Sequence, residues 1–339
     1  MLQGHGDDAY RYQQKMRANF STNVWYGREP AGLQEHIFAH WPVINQYPEV
    51  QAESLARKIS RHHGLQASQL LITNGTTESI YLIAQAFGKS QTTIAIPAFA
   101  EYEDACRLHH HEVHFVQQCD VQAGLQTAPG LFFICNPNNP TGHVFTQLGE
   151  LITTNPQTLF VIDEAFIEFT RNVPSLLTLI NTCDNLIVMR SLTKAFSIPG
   201  LRLGYLAANA QMISTLLPCK MPWSVNALAI EAGHYIFDHY ANAPLPLTEL
   251  FREKEQLIQQ LTQLSFTIDD SHTHFFLAKM PFGTARQLKA YLIEAHGLLI
   301  RDAANFRGLT EQHIRLATLT KDNNELLTHA LTEWTQHYS

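Results

Sequence analysis

Between Leu70 and Ala208 the chain alternates two patterns. Short continuous apolar runs, LLIT at 70–73, TTIAIP at 92–97, VHFV at 113–116, LFFICN at 131–136, LFVIDEA at 159–165, LIVMRS at 186–191 and RLGYLAA at 202–208, are mostly separated by stretches with helical spacing such as 77–87 and 99–108. Runs apolar at nearly every position suit strands buried on both faces, and strands alternating with helices build a mostly parallel, doubly covered sheet. After Pro222 the pattern changes. Helical stretches at 226–238 and 247–264 precede strands FTIDD and FFLAKM, a helix at 284–296, strands LLIRD and IRLATL, and a final helix at 322–334. The pattern predicts an α/β protein in three parts: an N-terminal arm over 1–45 packed on the small domain, a large domain with a seven-stranded sheet over 46–222, and a smaller α+β domain over 223–339.

Composition narrows the class. The chain has 339 residues, 45% of them hydrophobic, enough for two cores. Its formal charge is −7 without a run of lysine or arginine, which argues against nucleic acid as partner and for small-molecule chemistry. Cys106, Cys119, Cys135, Cys183 and Cys219 include no C-x-x-C pair, so neither a zinc module nor a disulfide framework is expected. The first residues, MLQGHGDDAY, are polar, and no apolar run has membrane-spanning length, which points to a cytoplasmic protein without a membrane partner. The histidines at 109, 110, 111 and 114 lack partnering carboxylate or cysteine spacing and read as a solvated helix end, so no metal is expected.

Four stretches carry chemistry. In TNGTTE, Gly75 permits a tight turn, and the N–H groups of Thr76 and Thr77 open a helix, where its dipole favours an anion such as phosphate. An ordinary capped strand-to-helix turn would look the same. CNPNNPTG follows a strand with a rigid loop at the edge where α/β sheets bind ligands, and Asn139 is the residue expected to reach one. Asp163 ends a buried run, where an ionised carboxylate needs a positive partner or serves as a cap. Lys194 in RSLTKAFSIPGLRLGYL sits among small and apolar residues, where a buried ammonium must be compensated, neutral or covalently occupied. Together they suit pyridoxal 5'-phosphate. Its aldehyde takes a lysine as Schiff base, its ring nitrogen pairs with a carboxylate, and its phosphate needs backbone donors, hydroxyls and a cation, which Ser191, Thr193 and Arg202 supply close to Lys194. Lys194 is then anchor and proton shuttle.

The combination of NPNNPTG at 136–142, DEAF at 163–166, S-x-T-K at 191–194 and GLRLGY at 200–205 is similar to the fold-type I, pyridoxal-phosphate-dependent enzymes of the class I/II aminotransferase family. GHG at 4–6, FSTN at 20–23, FAEY at 99–102, MPWSVNALA at 221–229 and IRDAANFRGL at 300–309 resemble the branch acting on phosphorylated amino acids, its decarboxylases more closely than its aminotransferases. That resemblance implies decarboxylation of L-threonine O-3-phosphate within cobalamin biosynthesis. Transamination of histidinol phosphate or a related phosphorylated amino acid is the alternative, and a non-catalytic cofactor binder is a third reading.

The resemblance also implies roles. Tyr102 would stack on the cofactor ring, and Tyr47 would reach the phosphate bound by the partner of a homodimer. Arg315 would bind the substrate carboxylate, while Arg301, His5, Gly6, Asn23 and Asn139 would complete the substrate site; paired guanidinium forks suit a doubly anionic substrate. The aminotransferases of the branch carry tyrosine where this chain has Phe166, so a hydrogen bond to the cofactor's phenolic oxygen is missing. Two further departures are VWYGREPAGL after Asn23, where relatives carry Asn-Pro-x-Gly-Pro, and Thr76 in place of glutamate.

Overall fold

The computed structural model describes residues 7–338. The chain enters through a short strand, β1 (Ala18–Asn19), and then builds a seven-stranded sheet from β2 (Leu70–Thr73), β3 (Gln91–Ile96), β4 (Glu112–Gln117), β5 (Gly130–Cys135), β6 (Thr158–Asp163), β7 (Leu186–Ser191) and β8 (Gly204–Ala208). Their order across the sheet is β2-β8-β7-β6-β5-β3-β4. Only β8 runs against its neighbours, pairing antiparallel with both β2 and β7. Period-two alternation assigns each side chain to a face. Phe132, Ile134, Phe160, Ile162 and Val188 enter one core; Leu131, Phe133, Val161, Ile187 and Met189 enter the other. Both faces are therefore buried, which is why these runs are apolar throughout.

The second sheet is antiparallel, from β9 (Thr267–Ile268), β10 (Phe275–Lys279), β12 (Arg301–Asp302) and β13 (His313–Ala317), in the order β12-β13-β10-β9. The expected single strand LLIRD is split. β11 (Leu298–Leu299) pairs in parallel with β1, whereas β12 pairs with β13 and sets Arg301 opposite Arg315. Leu257, Leu261, Phe276, Leu288, Leu316, Leu331 and Trp334 close a core between this sheet and the helices Leu247–Gln263, Ala285–Tyr291 and Lys321–Tyr338.

Packing bears on the three-part division. The helix Ala227–Asp238 buries Ala229, Ala232 and Ile236 in the large-domain core, and a Cβ at Gly233 would lie 2.6 Å from Leu55. The arm is shared, with Ala18 and Phe20 in the small-domain core and Leu33 in the large one. We propose that the boundary falls after this helix rather than at 222/223. The expected histidine-rich helix end is corrected at one position. His111 is buried, with Nδ1 2.7 Å from Thr92 Oγ1 and Nε2 2.7 Å from the Ala84 carbonyl oxygen, a satisfied core residue. Among the described residues no helix is long and apolar enough to cross a membrane.

Because β2 and β7 flank the one antiparallel strand, the carboxyl ends of β2, β3, β5, β6 and β7 share one edge. Gly204 threads β8 behind that edge. A Cβ there would lie 2.9 Å from Arg190 O and 3.0 Å from Thr76 N, both backbone atoms that cannot rotate away. Gly204→Ala is expected to destabilise the protein by about 1–3 kcal/mol and to loosen cofactor retention, because Thr76 must shift. Urea melting and cofactor retention on gel filtration measure both.

Candidate active site

Five strand ends and the arm converge on a cavity of about 240 Å³. Asn23, Thr76, Thr77, Tyr102, Asn139, Asp163, Thr193, Lys194, Arg202 and Arg315 line it, far apart in sequence and brought together only by the topology. Most stand at or just beyond the ends of strands, whereas Arg315 projects from within β13.

Asp163, the last residue of β6, is 4% exposed. Its Oδ2 accepts from the Tyr102 hydroxyl at 2.7 Å and its Oδ1 from Ala165 N at 2.9 Å. Burial pushes its pKa up, against those hydrogen bonds and the Lys194 charge, which pull it down. Among the described residues no lysine or arginine forms an ion pair with it. A cationic ligand atom here would restore the ionised form.

Lys194 follows β7 in the loop that returns as β8, and its carbonyl accepts from Trp25 N at 2.9 Å. Its half-buried amine is pulled down to about 8, first by desolvation and then by the positive charges of Arg315 and Arg202. At neutral pH that leaves an appreciable fraction of free amine, the form that condenses with an aldehyde.

The turn after β2 supplies an anion cradle. Gly75 has φ +76°, and the helix Thr76–Ala86 starts directly after it. A Cβ at Gly75 would meet Arg202 Nη2 at 2.7 Å, so only glycine leaves room for that guanidinium against the helix N-terminus. Arg202 itself adopts a left-handed backbone, φ +57°, with Nη1 donating to Pro199 O at 3.2 Å. Strained conformations persist where surrounding structure enforces them. Ser191 and Thr193 exchange a hydroxyl hydrogen bond at 2.8 Å, which turns Thr193 into the cavity and leaves Ser191 behind it.

Asn139 joins three segments. Its Oδ1 accepts from Arg315 Nη1 at 2.6 Å and from Asn23 Nδ2 at 3.4 Å. Asn136 and Asn138 hold the loop itself, through Phe145 N and through the Thr141 hydroxyl. Arg315 is 5% exposed, also donates to Ser21 O, and its Nε is buried without a hydrogen-bond partner. Burial, with the Arg301 charge, holds its pKa well below the usual guanidinium range, and no carboxylate of the described residues pairs with it. An anionic ligand would supply the missing charge.

Other expected residues lie elsewhere. Arg301, opposite Arg315, donates to Asn305 Oδ1 at 2.8 Å and stands behind the cavity wall. Tyr47 is 86% exposed against Trp223, on a different surface. His5 and Gly6 lie outside the described residues. Tyr102 lines the cavity, with one ring face stacked on Phe133 at 5.3 Å and its hydroxyl donating to Asp163. Phe99 is the aromatic beside it in the wall, flagged by its place before the helix Glu101–Leu108 in PAFAEY. Asp7, Ser21 and Thr22 also line the cavity and were missed, since the arm has no periodicity to mark them. Phe166 presents only carbon, its ring set edgewise on Phe275 at 4.9 Å.

A buried uncompensated carboxylate, a depressed lysine and a glycine cradle under an arginine fit a phosphorylated pyridine aldehyde. The chain belongs to the class I and II aminotransferase family, whose model matches residues 27–331, and it is therefore a fold-type I enzyme dependent on pyridoxal 5'-phosphate. Among solved structures it resembles L-threonine-O-3-phosphate decarboxylase from Porphyromonas gingivalis, with 38% identity, a TM-score of 0.90, and 94% of this chain and 99% of that one covered. It is 30% identical to the threonine-phosphate decarboxylase of Salmonella typhimurium, covering 92% and 90% of the two chains. It is also 31% identical to the histidinol-phosphate aminotransferase of Thermoanaerobacter pseudethanolicus, covering 96% and 93%.

The Lys194 shift has a thermodynamic sign. A lysine whose pKa falls from 10.5 to about 8 on folding binds fewer protons folded than unfolded between those values. Its burial therefore opposes folding below pH 8, and that opposition fades as pH rises toward 10.5. In the cofactor-free protein, Lys194→Met is expected to raise stability at pH 7 by at most about 3 kcal/mol and to flatten the rise of stability above pH 8. Denaturant midpoints at pH 7 and 9.5 test this.

Proposed function

We propose that the chain is a carboxy-lyase that converts L-threonine O-3-phosphate to (R)-1-amino-2-propanol O-2-phosphate and carbon dioxide. The observation that carries this reading is Arg315, buried in the cavity wall near Lys194 without an ionic partner among the described residues, with a second guanidinium, Arg301, on the neighbouring strand behind it. A substrate bearing both carboxylate and phosphate needs two cations, and Arg315 has a buried N–H to offer. The decarboxylase relatives and the carbon-only wall at Phe166 support the same choice.

When bound, pyridoxal phosphate supplies an aldehyde that captures amines and a ring that draws electrons from whichever Cα bond stands perpendicular to it. The chain's residues do the rest. Lys194 would be the covalent anchor, and its Nζ would be the group that gives a proton to Cα. Asp163, kept ionised by the cation opposite, holds the proton on the pyridine nitrogen, and Tyr102 orients that carboxylate. Gly75, Thr76, Thr77, Thr193 and Arg202 hold the phosphate, with Ser191 aligning Thr193. Asn139 fixes Arg315 and Asn23 on the substrate side, where Arg315 would set which Cα bond lies perpendicular to the ring. Phe99 excludes water.

A homodimer belongs to the reading. Phe38, Trp41, Ile44, Tyr47, Met221 and Trp223 are exposed apolar residues of two neighbouring segments, and a second copy would cover them while Tyr47 reached its cofactor phosphate.

With L-threonine O-3-phosphate as sole substrate, purified enzyme is expected to release carbon dioxide and an amino alcohol phosphate without 2-oxoglutarate. Strict dependence on 2-oxoglutarate, with histidinol phosphate as amino donor, would make it the aminotransferase instead. Lys194→Ala should lose both turnover and borohydride-trapped cofactor. For Arg315→Ala, steady-state kinetics should show kcat/KM lowered by about 1.5–3 kcal/mol, the worth of a charge-assisted hydrogen bond.

A further inference from the structure

Outside the cavity, the helix Leu33–Ala39 packs on the helix Ala227–Asp238 and brings together three residues that none of the chemistry above uses. His36 in the helix and His40, which caps its C-terminus, are four residues apart and lie side by side, with ring centroids 4.1 Å apart and planes tilted by 31°. Glu231 faces them, its Oε2 3.3 Å from His36 Nε2. One ring nitrogen of each histidine and one carboxylate oxygen of Glu231 all lie within 4.8 Å of one another. Small rotations would bring such a set to the span of three ligands at about 2.1 Å from one ion.

Two details favour a ligand over a plain ion pair. His36 Nε2 is shut from solvent yet makes no hydrogen bond. His40 Nδ1 lies 2.8 Å from the His36 carbonyl oxygen, which assigns its N–H there and leaves the other ring nitrogen with a lone pair, the outer hydrogen bond that orients metal-binding histidines. The helix is braced as well: the Tyr235 ring lies 5.1 Å from that of His36, and its hydroxyl donates to Ala31 O at 2.5 Å. His40 is exposed, and the His36 and Glu231 side chains are each 23% exposed, so an ion can enter from solvent and keep a water in the fourth position.

We propose that His36, His40 and Glu231 bind a zinc(II) ion that clamps the arm to the helix Ala227–Asp238. Two imidazoles and a carboxylate suit zinc, and the clamp lies just before the segment Trp41–Asn45 that leads to Tyr47. The proposal is independent of which reaction the cavity performs.

The test uses holoenzyme stripped with chelator, re-equilibrated with zinc alone and freed of excess metal. Elemental analysis should find one zinc per chain, and zinc should raise the melting temperature. His40→Ala removes an exposed side chain, so it should fold and retain cofactor normally while losing both the bound zinc and the zinc-dependent rise; Glu231→Gln should behave alike. Absence of bound zinc in the unaltered protein, or equal zinc and equal melting shifts in both variants, would overturn the site and leave a simple His36–Glu231 ion pair.

Discussion

Two buried charges that the described residues leave without an ionic partner organise this molecule. Asp163 and Arg315 are each at most 5% exposed, and neither has an oppositely charged side chain within ion-pair distance among the described residues. Buried charge without compensation is among the least favourable features a fold can carry, so it persists only where something else selects it. Here each charge faces one cavity, and each is held by neutral hydrogen bonds that orient it without neutralising it: Tyr102 and Ala165 for the carboxylate, Asn139 and Ser21 for the guanidinium. The Lys194 amine lies in the field of both; desolvation first, then the charges of Arg315 and Arg202, lower its pKa, against the pull of Asp163.

The adjacent acid shows the contrast. Glu164 follows Asp163 in sequence but turns to the other side, where Ser175 Oγ donates at 2.5 Å, Leu176 N at 2.7 Å, and Arg190 completes the pair at 3.4 Å. Arg190 also bonds Glu168, so the charges of this network are met within the protein. Two consecutive carboxylates thus have opposite fates: one is consumed by structure and one is left for a ligand. Strand alternation, which separates the two apolar cores, also separates these roles.

Asn139 has a similar economy. A neutral amide cannot quench Arg315, yet it accepts from Arg315 and from Asn23, tying small-domain strand, large-domain loop and arm at one oxygen. Displacing any one of these segments moves the other two. The cavity is therefore a property of the joint between the two sheets rather than of either sheet alone.

The sequence by itself determined the doubly covered sheet, the strand ends that carry Gly75, Asn139, Asp163 and Lys194, and, through their combination, the cofactor and family. Apolar runs and turn residues report local constraints, and local constraints are legible in one dimension. Other features depended on contacts between segments far apart in sequence. Only the tertiary structure split LLIRD between two partners, sent Tyr102 to Asp163, placed Phe99, Asp7 and Ser21 in the wall, and buried His111 while leaving Tyr47 exposed. Partner choice for a side chain is a packing outcome, fixed when sheets, helices and arm close on one another, and no periodicity in the chain records it.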